Sequence, residues 1–529
     1  MASTYLTPGV YVEEVASGSS TLTAGATAVA AFVGFTAKAP NDDPNDPDGL
    51  RPRLITSWTD FETLYGGFAP GIMLPHSVYG WFANGGATCY IVRIPNTAPS
   101  AEPGMRELPA VDRALGDVLE VKSIGPADGL SVAVSVNSAD DSDGGDDEGA
   151  GQPTFDITVL KDGVPVESFA ALTTKPGPTQ VATATLQSEY IRVALKTEIP
   201  ADLDPLLTLP KAGVFDLVPA PRTPLDVKAT TFAGSETSRK GINGLVIADD
   251  VTIVMVPDLI TAARKADGTV DLNMWKSVQT ALISHCEREA NRIAILDAPP
   301  GMGIQDIKEW RSQTAMYDSA FATMYYPWIK VSNPVPTNGD DEILVPPSGH
   351  VAGLWARTDD TRGVWKAPAN DVLRGVLDVE RNITKVEQGL LNPIGVNCIR
   401  PFGTRGIRVW GARTLTSNTD WTYINVRRLF NMIETTIMEG TQWAVFEPND
   451  MKLWEGLKRT LNAFLRGLWR DGALFGATPE QAFFVKCDSE TNPPDSIDQG
   501  KVIIEIGIAP VKPAEFVIFR ISQYKDNAS

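Results

Sequence analysis

The sequence contains few of the residues that most often build metal centres and covalent crosslinks. Its 529 residues include only four cysteines and three histidines. The cysteines, at positions 89, 286, 398 and 487, are far apart and form no CxxC pair. This spacing argues against a zinc ribbon and against a compact disulfide framework. We therefore predict reduced, buried thiols, no metal site and no cofactor.

Long apolar runs and export signals are also lacking. The most apolar early stretch, residues 24–35, is too short to span a bilayer and predicts a buried strand. Residues 1–14 have no basic region followed by an apolar run, so we expect no signal peptide. The formal net charge of -19 argues against a coat for nucleic acid or anionic membrane. We expect neither a nucleic-acid partner nor direct membrane insertion.

The common catalytic motifs are missing as well. There is no GxxxxGK[ST], GxSxG or HExxH sequence. The best catalytic candidate is the stretch 346–353, where Ser348 stands two residues before His350. No acidic partner for that histidine is identifiable from the sequence. We interpret the stretch as a structural loop and predict that the protein is not an enzyme.

A large acidic insertion is the first feature that the sequence does contain. The length predicts two to four domains, since single cores rarely organise more than about 250 residues. Residues 101–228 hold 21 acidic and 10 basic side chains and none of the 12 tryptophans. Alternating apolar residues from Leu130 to Val136 and from Phe155 to Leu160, with a turn at 161–163, predict a β-rich outer domain. The acidic run 140–148 lacks the glutamate that closes an EF-hand, so it predicts a solvated loop.

Segments on both sides of this insertion predict an α/β domain. Buried strands are expected at residues 245–248, 251–256, 292–296 and 321–331. Between the second and third of these strands, apolar residues at helical spacing predict a helix with the stripe Trp275, Val278, Leu282 and Cys286. A second helix is expected at residues 304–314. Strands that alternate with helices predict a sheet of parallel strands.

The C-terminal third contains a helix with two different faces. Leucines and a phenylalanine recur every three or four residues from Leu453 to Leu468. Four basic residues share a narrow arc on the opposite side: Lys452, Arg459, Arg466 and Arg470. We call these four residues the basic stripe. A solvated surface is the simple interpretation, and a face that docks on an acidic partner is the functional one.

Both ends of the sequence resemble strands without partners. Residues 5–14 and 515–523 are short strand-like segments. In the second, Phe516 and Ile518 point one way while Val517, Phe519 and Ile521 point the other, so both faces are apolar. Such a strand is expected to be covered. Lending it to a neighbour's sheet, head to tail, generates an open helical lattice.

Several segments, in order along the chain, together resemble the phage tail sheath family. They are residues 7–14 (TPGVYVEE), 55–67 (ITSWTDFETLYGG), 85–93 (GGATCYIVR), 392–400 (NPIGVNCIR), 409–415 (VWGARTL), 443–449 (WAVFEPN) and 509–516 (APVKPAEF). The resemblance implies a subtilisin-like α/β middle domain without protease activity, formed by residues 21–97 and 229–370. It also implies an outer insertion domain at residues 98–228. An α+β inner handshake domain would be built from both termini, with residues 1–20 as one arm and residues 371–529 as the remainder.

The same resemblance implies the function and the partners. The chain is expected to polymerise helically around an inner tube and to contract, which drives the tube through a target envelope. Baseplate and terminal cap proteins are further expected partners, and assembly is expected in the cytoplasm of the producing cell, within a phage-tail-like particle. The basic stripe would face the tube. The expected inter-subunit arms are Val10, Tyr11, Val12 and Glu13 at one end, and Phe516, Val517, Ile518, Phe519 and Ile521 at the other.

Two other classes of function stay open at this point. One is a cytosolic serine hydrolase that uses Ser348 on the α/β domain. The other is a surface-layer or adhesion protein, which would need export and would leave the basic stripe without an explanation.

Overall fold

The fold divides into two compact units. The computed structural model describes residues 22, 27–40, 46, 49–95, 103–111, 117–126, 130–137, 153–161, 163–196, 208–219, 227–265, 268–336 and 341–520. The first unit combines residues 1–95 with residues 228–529, and the second consists of residues 96–227. The second unit is therefore inserted into the sequence of the first.

The strands of the described residues are numbered in chain order. They are β1 Ala30–Gly34, β2 Arg53–Ile55, β3 Cys89–Arg93, β4 Pro103–Pro109, β5 Asp117–Pro126, β6 Leu130–Asn137, β7 Thr154–Lys161, β8 Val164–Leu172, β9 Ile191–Leu195, β10 Gly213–Asp216, β11 Val218–Pro219, β12 Ile253–Met255, β13 Ile293–Asp297, β14 Ala322–Tyr326, β15 Ile329–Ser332, β16 Glu342–Val345, β17 Asp371–Val372, β18 Val376–Val379, β19 Val396–Pro401, β20 Ile407–Val409, β21 Phe483–Lys486 and β22 Glu505–Ile508.

The α-helices are numbered in the same way. They are α1 Trp58–Tyr65, α2 Leu74–Asn84, α3 Val181–Ala184, α4 Ala229–Ala233, α5 Leu259–Ala262, α6 Leu272–Glu289, α7 Ile304–Glu309, α8 Ser348–Arg362, α9 Lys385–Leu391, α10 Ile424–Gly440, α11 Met451–Arg470, α12 Pro479–Ala482 and α13 Pro494–Asp498. Among the described residues, no helix is long and apolar enough to cross a membrane.

A nine-stranded sheet, which we call the central sheet, organises the first unit. Its strand order is β17-β20-β19-β14-β13-β12-β1-β3-β2. The six strands from β19 to β3 run parallel to their neighbours, and antiparallel strands close both edges. The predicted α/β class with a parallel sheet is confirmed. The predicted end of the middle domain at residue 370 lies inside this sheet, because β19 pairs with β14 through Met324 and Val396.

The helix predicted between two of these strands is α6. Asp271 caps its N-terminus, since the carboxylate accepts hydrogen bonds from the backbone N–H groups of Asn273 and Met274. The helix ends at Ala290, which adopts a left-handed conformation with φ of 59°. All four residues of the predicted apolar stripe are buried against the core, and β13 follows with every residue buried. Periodicity therefore located this helix and strand correctly.

Two strand predictions in this unit need correction. Residues 242–247 form a 3₁₀ helix, although a strand was expected from residue 245 to 248. Gly241, with φ of 64°, and Gly244 allow the close turn, because a side chain on Gly244 would meet the Arg239 carbonyl carbon at 2.5 Å. The strand expected at residues 321–331 is two strands in different sheets, β14 and β15. An apolar run alone does not distinguish these alternatives.

The second unit is mostly β-structure, with the short helix α3. Two four-stranded sheets have the orders β10-β6-β7-β8 and β11-β4-β5-β9. The strands predicted around Val132 and Ile157 pair directly, and their inward residues are buried. Gly163, with φ of 78°, lies in the turn that joins β7 to β8. The core contains one fully buried aromatic ring, that of Phe155, which agrees with the low aromatic content of this stretch.

Within the first unit, helix α10 packs onto α8 through a buried ion pair. Arg428 on α10 contacts Asp359 on α8 at 2.5 Å, and the two side chains are only 3% and 4% exposed. The Arg428 guanidinium also donates to the Thr27 carbonyl and lies 4.8 Å from the Trp355 ring centre. Burial raises the pKa of Asp359, although the charge of Arg428 opposes the shift. The pair therefore fixes α10 at the cost of two desolvated charges.

Candidate assembly surfaces

The hydrolase alternative depends on the neighbourhood of Ser348. This residue begins α8, so the expected loop is wrong and the stretch is helical. The Ser348 hydroxyl donates to Asp297 Oδ2 at 2.7 Å, and its backbone N–H donates to Asp297 Oδ1 at 2.9 Å. Ser348 is fully buried. Its hydroxyl is thus bonded to a carboxylate at a helix N-terminus and not to an imidazole.

His350 is enclosed on the opposite side of the same helix turn. A side chain on Gly80 would come within 2.3 Å of His350 Nδ1, so α2 and α8 are in close contact there. Burial, and secondarily the charge of His76, lowers the pKa of His350 to about 4. Burial raises the pKa of Asp297 to about 7, although the bonds from Ser348 oppose the shift. Ser348, His350 and Asp297 are all buried in the subunit.

The basic stripe lies on an exposed helix face. The Asp450 side chain caps α11 by accepting from the Leu453 N–H at 2.9 Å. The predicted apolar face is buried, and all four residues of the stripe are exposed. Within the described part of the chain, none of the four lies within 4.0 Å of a carboxylate. The stripe therefore presents four cations over about 27 Å of helix length.

An exposed apolar loop adjoins the stripe, and we call residues 441–450 the Phe446 loop. Phe446 is fully exposed and has φ of 68°, which is unusual for a residue with a side chain. The loop is held in place, since Asn449 accepts from the Trp454 indole at 2.8 Å and donates to the Lys501 carbonyl at 2.9 Å. The Trp443 ring lies 3.7 Å from where a side chain on Gly456 would be. Gly456 follows Lys452 by one helical turn, so the loop continues the surface of the stripe.

The C-terminal segment is the second exposed apolar surface, and we call residues 516–523 the C-terminal arm. Phe516, Val517, Ile518 and Phe519 are 72%, 68%, 79% and 83% exposed. Residues 511–520 pair with no strand among the described residues. Exposure of four consecutive large apolar side chains is unusual for a soluble monomer. Ile521 and the N-terminal residues Val10, Tyr11, Val12 and Glu13 lie outside the described residues, as does the acidic run 140–148.

A small sheet near the arm has unpaired edges. Strands β21 and β22 pair antiparallel with each other, from Phe483 with Ile508 to Lys486 with Glu505. Among the described residues, this sheet has only these two strands. Phe484 is 57% exposed on it. An open edge of this kind is a site at which a further strand can add.

Two models of protein families match consecutive parts of the chain. The phage tail sheath protein central domain matches residues 257–415, and the phage tail sheath C-terminal domain matches residues 416–523. Together they cover 267 of 529 residues, from 257 to 523, which is just over half of the chain. The chain belongs to the phage tail sheath protein family. The match to the central domain ends at residue 415, which lies beyond strands β19 and β20.

Individual sheath proteins are similar in sequence and in fold. The tail sheath protein of Vibrio phage KVP40 is 29% identical over 313 residues, which are 55% of this chain and 46% of that protein. The chain spans about half the length of the curated relatives it matches. The helical sheath of the anti-feeding prophage in its contracted state is 25% identical, with a TM-score of 0.57 over 98% of this chain and 100% of that one.

A chain in a solved structure of the anti-feeding prophage baseplate is also similar. It is 26% identical, with a TM-score of 0.54 over 99% of this chain and 100% of that chain. The mixed α/β fold with several sheets is therefore the fold of contractile sheath proteins.

Sequence reasoning missed two features of these surfaces. One is the pairing of Arg413 with Glu515, which are 102 residues apart. Both residues lie in segments that resemble the family, residues 409–415 and 509–516, so the segments were recognised but their contact was not. The other is Phe446, whose exposure follows from a left-handed backbone that the sequence does not reveal.

Proposed function

We propose that this chain is the structural subunit of a contractile sheath. The observation that carries the proposal is the C-terminal arm, whose four large apolar side chains have no cover in the subunit. Membership of the sheath family and the full-length similarity to a contracted helical sheath support it. In this role the subunit needs no catalytic residues, which agrees with the burial of Ser348.

Assembly follows from lending strands between copies. The C-terminal arm of one subunit adds to an open edge of the β21–β22 sheet of a neighbour, and the N-terminal arm adds to another copy. Because the donor and acceptor surfaces differ, each contact is head to tail and the polymer stays open and helical. The handshake domain predicted from the sequence is this shared sheet, and the central sheet domain is its subtilisin-like, inactive neighbour.

Contraction is the mechanical step of the proposed function. The sheath assembles in an extended, kinetically trapped state around an inner tube. On triggering, the central and outer domains rotate and bury new surface, and the arms stay paired. The free energy of that burial drives the tube through a target envelope. No nucleotide is consumed.

The partners follow from the surfaces. The basic stripe and the adjoining Phe446 loop face the inner tube, whose complementary surface is acidic with an apolar contact. A baseplate protein lies at one end of the polymer and a terminal cap protein at the other. Similarity to a chain of a solved baseplate structure supports the baseplate as a partner. Assembly takes place in the cytoplasm of the producing cell, without nucleic acid and without insertion into a membrane.

Truncation tests the arm directly. We expect the purified full-length chain to form helical tubes that electron microscopy resolves. Removal of residues 515–529 should leave monomers, because the donor strand is lost. Removal of residues 524–529 is the matched control and should preserve the tubes. Tubes from the longer truncation would contradict the arm model.

Charge reversal tests the basic stripe. The variant Arg459→Glu with Arg466→Glu should weaken assembly of the sheath on purified inner tubes, because two cations of the interface become anions. The control, Arg374→Glu with Arg405→Glu, changes the net charge equally at exposed positions away from α11. Co-sedimentation with tubes at low salt measures both. Equal binding by the two double variants would exclude the stripe as the tube contact.

A further inference from the structure

The residues that precede the C-terminal arm are fastened to their own subunit. The Ala509 N–H donates to the Ala482 carbonyl at 2.8 Å, and the Val511 N–H donates to the Ala473 carbonyl at 3.3 Å. The Asn425 side chain donates to the Val511 carbonyl at 3.1 Å. Residues 516–520, by contrast, make no hydrogen bond to any other described residue. The attachment therefore ends at residue 515.

Glu515 is the last attached residue and makes the strongest contacts. Its carboxylate forms an ion pair with Arg413, whose guanidinium lies 2.6 Å from Oε2 and 3.0 Å from Oε1. The Asn392 side chain donates to Oε1 at 2.6 Å and the Tyr423 hydroxyl donates to Oε2 at 3.1 Å. Four donor groups thus occupy both oxygens. Charge-assisted, two-pronged bonds of this type define direction as well as affinity.

The Arg413 side of this contact belongs to the central sheet. The Arg413 backbone N–H donates to Asn397 Oδ1 at 2.8 Å. Its carbonyl accepts from Asn397 Nδ2 at 2.8 Å and from the Thr323 hydroxyl at 2.9 Å. Asn397 lies on β19 and Thr323 on β14, and both are fully buried. The root of the arm is therefore fastened to two buried residues of neighbouring strands, β14 and β19.

The charge state of Glu515 matches this role. Burial raises the pKa of its carboxyl, but the hydrogen bonds from Arg413 and Asn392 outweigh burial, so the pKa lies below the ordinary value. Glu515 is therefore ionised at neutral pH, and the contact is a true ion pair. Both side chains of the pair are 20% exposed, so solvent screens the pair only partly.

We propose that Glu515 is a positioning residue that mounts the C-terminal arm on the central sheet. The direction in which the arm leaves the subunit is then set mainly by β14 and β19, which hold Arg413 through Thr323 and Asn397. The five described residues 516–520 span at most about 17 Å, so a fixed root confines this part of the arm to a small region and raises its effective concentration at one acceptor edge. Identifying that edge as a neighbour's β21–β22 sheet rests on the proposed function.

Distance measurements on the isolated subunit test the mounting. Spin labels are placed at Val517→Cys on the arm and Ser284→Cys on α6, an exposed position next to the central sheet. The four native cysteines are buried, which leaves the introduced ones for labelling. We expect a narrow distribution of label distances in the parent chain and a broad one after Glu515→Ala, because the ion pair no longer holds the root.

Two further variants separate the clamp from general disturbance. Lys512→Met removes an exposed charge three residues away and should keep the distribution narrow. Exchange of the partners, Glu515→Arg with Arg413→Glu, should narrow the distribution again relative to Glu515→Ala. The proposal is overturned if Glu515→Ala and the parent chain give distributions of the same width, whether both are narrow or both are broad.

Assembly provides a second measurement. Glu515→Ala should raise the subunit concentration needed for tube formation by about tenfold, because the arm searches a larger volume. Unchanged assembly of a variant with a disordered arm would overturn the link between mounting and neighbour choice. If the parent chain forms no tubes, the proposed function fails, and the label distances still decide whether Glu515 positions the arm.

Discussion

Strand β13 and the C-terminal arm are both short, apolar and extended in pattern, yet they differ completely in burial. All five residues of Ile293–Asp297 are buried, and parallel strands flank β13 on both sides. The four residues from Phe516 to Phe519 are each at least 68% exposed. An apolar pattern therefore shows that a strand needs cover, and it does not show which chain supplies the cover.

The energetic consequence falls on assembly. Full burial of a large apolar side chain contributes about 1.5–3 kcal/mol, so four of them contribute about 6–12 kcal/mol before the cost of ordering the segment. In β13 this contribution stabilises the subunit. In the arm it is available only to a complex, which links the concentration of subunits to the stability of the polymer.

The largest expected effect comes from placing one charge in each region. Ile295→Asp should destabilise the subunit by about 4 kcal/mol or more, because an unpaired carboxylate would be buried. Ile518→Asp should leave subunit stability within about 0.5 kcal/mol and should abolish tube formation. Urea unfolding and electron microscopy of both variants provide the measurements. Comparable loss of subunit stability in the two variants would remove the distinction between the regions.

The next effect concerns the buried ion pair that holds α10 on α8. Arg428→Met leaves Asp359 without its partner and should lower the free energy of unfolding by about 3–5 kcal/mol. Arg374→Met, at an exposed position, is the control and should change it by no more than about 0.5 kcal/mol. Similar urea midpoints for the two variants would mean that the pair is not needed to hold the C-terminal helices.

A smaller effect compares two helical glycines, one on the buried helix α2 and one on the C-terminal helix α11. Gly80→Ala should cost about 1–3 kcal/mol, because the added methyl group would overlap the His350 ring. Gly467→Ala on α11 meets no atom within 4 Å and should stabilise the subunit by about 0.5–1 kcal/mol. Thermal unfolding measures both. Shifts of the same sign would contradict the close packing of α2 on α8.

The smallest effect is the pH dependence of the arm. The pKa of Glu515 is lowered in the folded subunit, so its ion pair is intact above the ordinary glutamate pKa and is lost as the pH falls through the lower folded value. The distribution of label distances between positions 284 and 517 should stay narrow at pH 5 and broaden only at pH values below the ordinary glutamate pKa of about 4.3. Glu515→Gln should not show this step. A step near pH 6 to 7 would show that a group other than Glu515 holds the root of the arm.

The periodicity of apolar residues predicted the features that depend only on residues close together in the sequence. The faces of α6 and α11 and the exposure of the basic stripe followed from spacing, because side chains three or four residues apart share a helix face. Residues 245–248 and the helix at Ser348 show the limit. Glycine conformations at 241 and 244 turned a predicted strand into a 3₁₀ helix, and the bond from Ser348 to Asp297 capped a helix where a loop was expected.

Contacts between distant segments could not be predicted in this way. The four groups that hold Glu515 come from residues 392, 413 and 423, which lie 123, 102 and 92 residues from it in the sequence. Arg428 and Asp359 are 69 residues apart, and both side chains are buried. The basic stripe and the arm were visible from the sequence because each is a local pattern on one element.

The inserted second unit suggests a use beyond injection. All nine strands of the central sheet lie outside residues 96–227, and β1, β3 and β12, which adjoin one another in the sheet, flank the gap in sequence. A different folded domain can therefore take the place of the insertion without removing a strand of the sheet. In a helical polymer each subunit would then carry one such replacement domain, at a spacing set by the lattice. The polymer would serve as a regular scaffold for these domains.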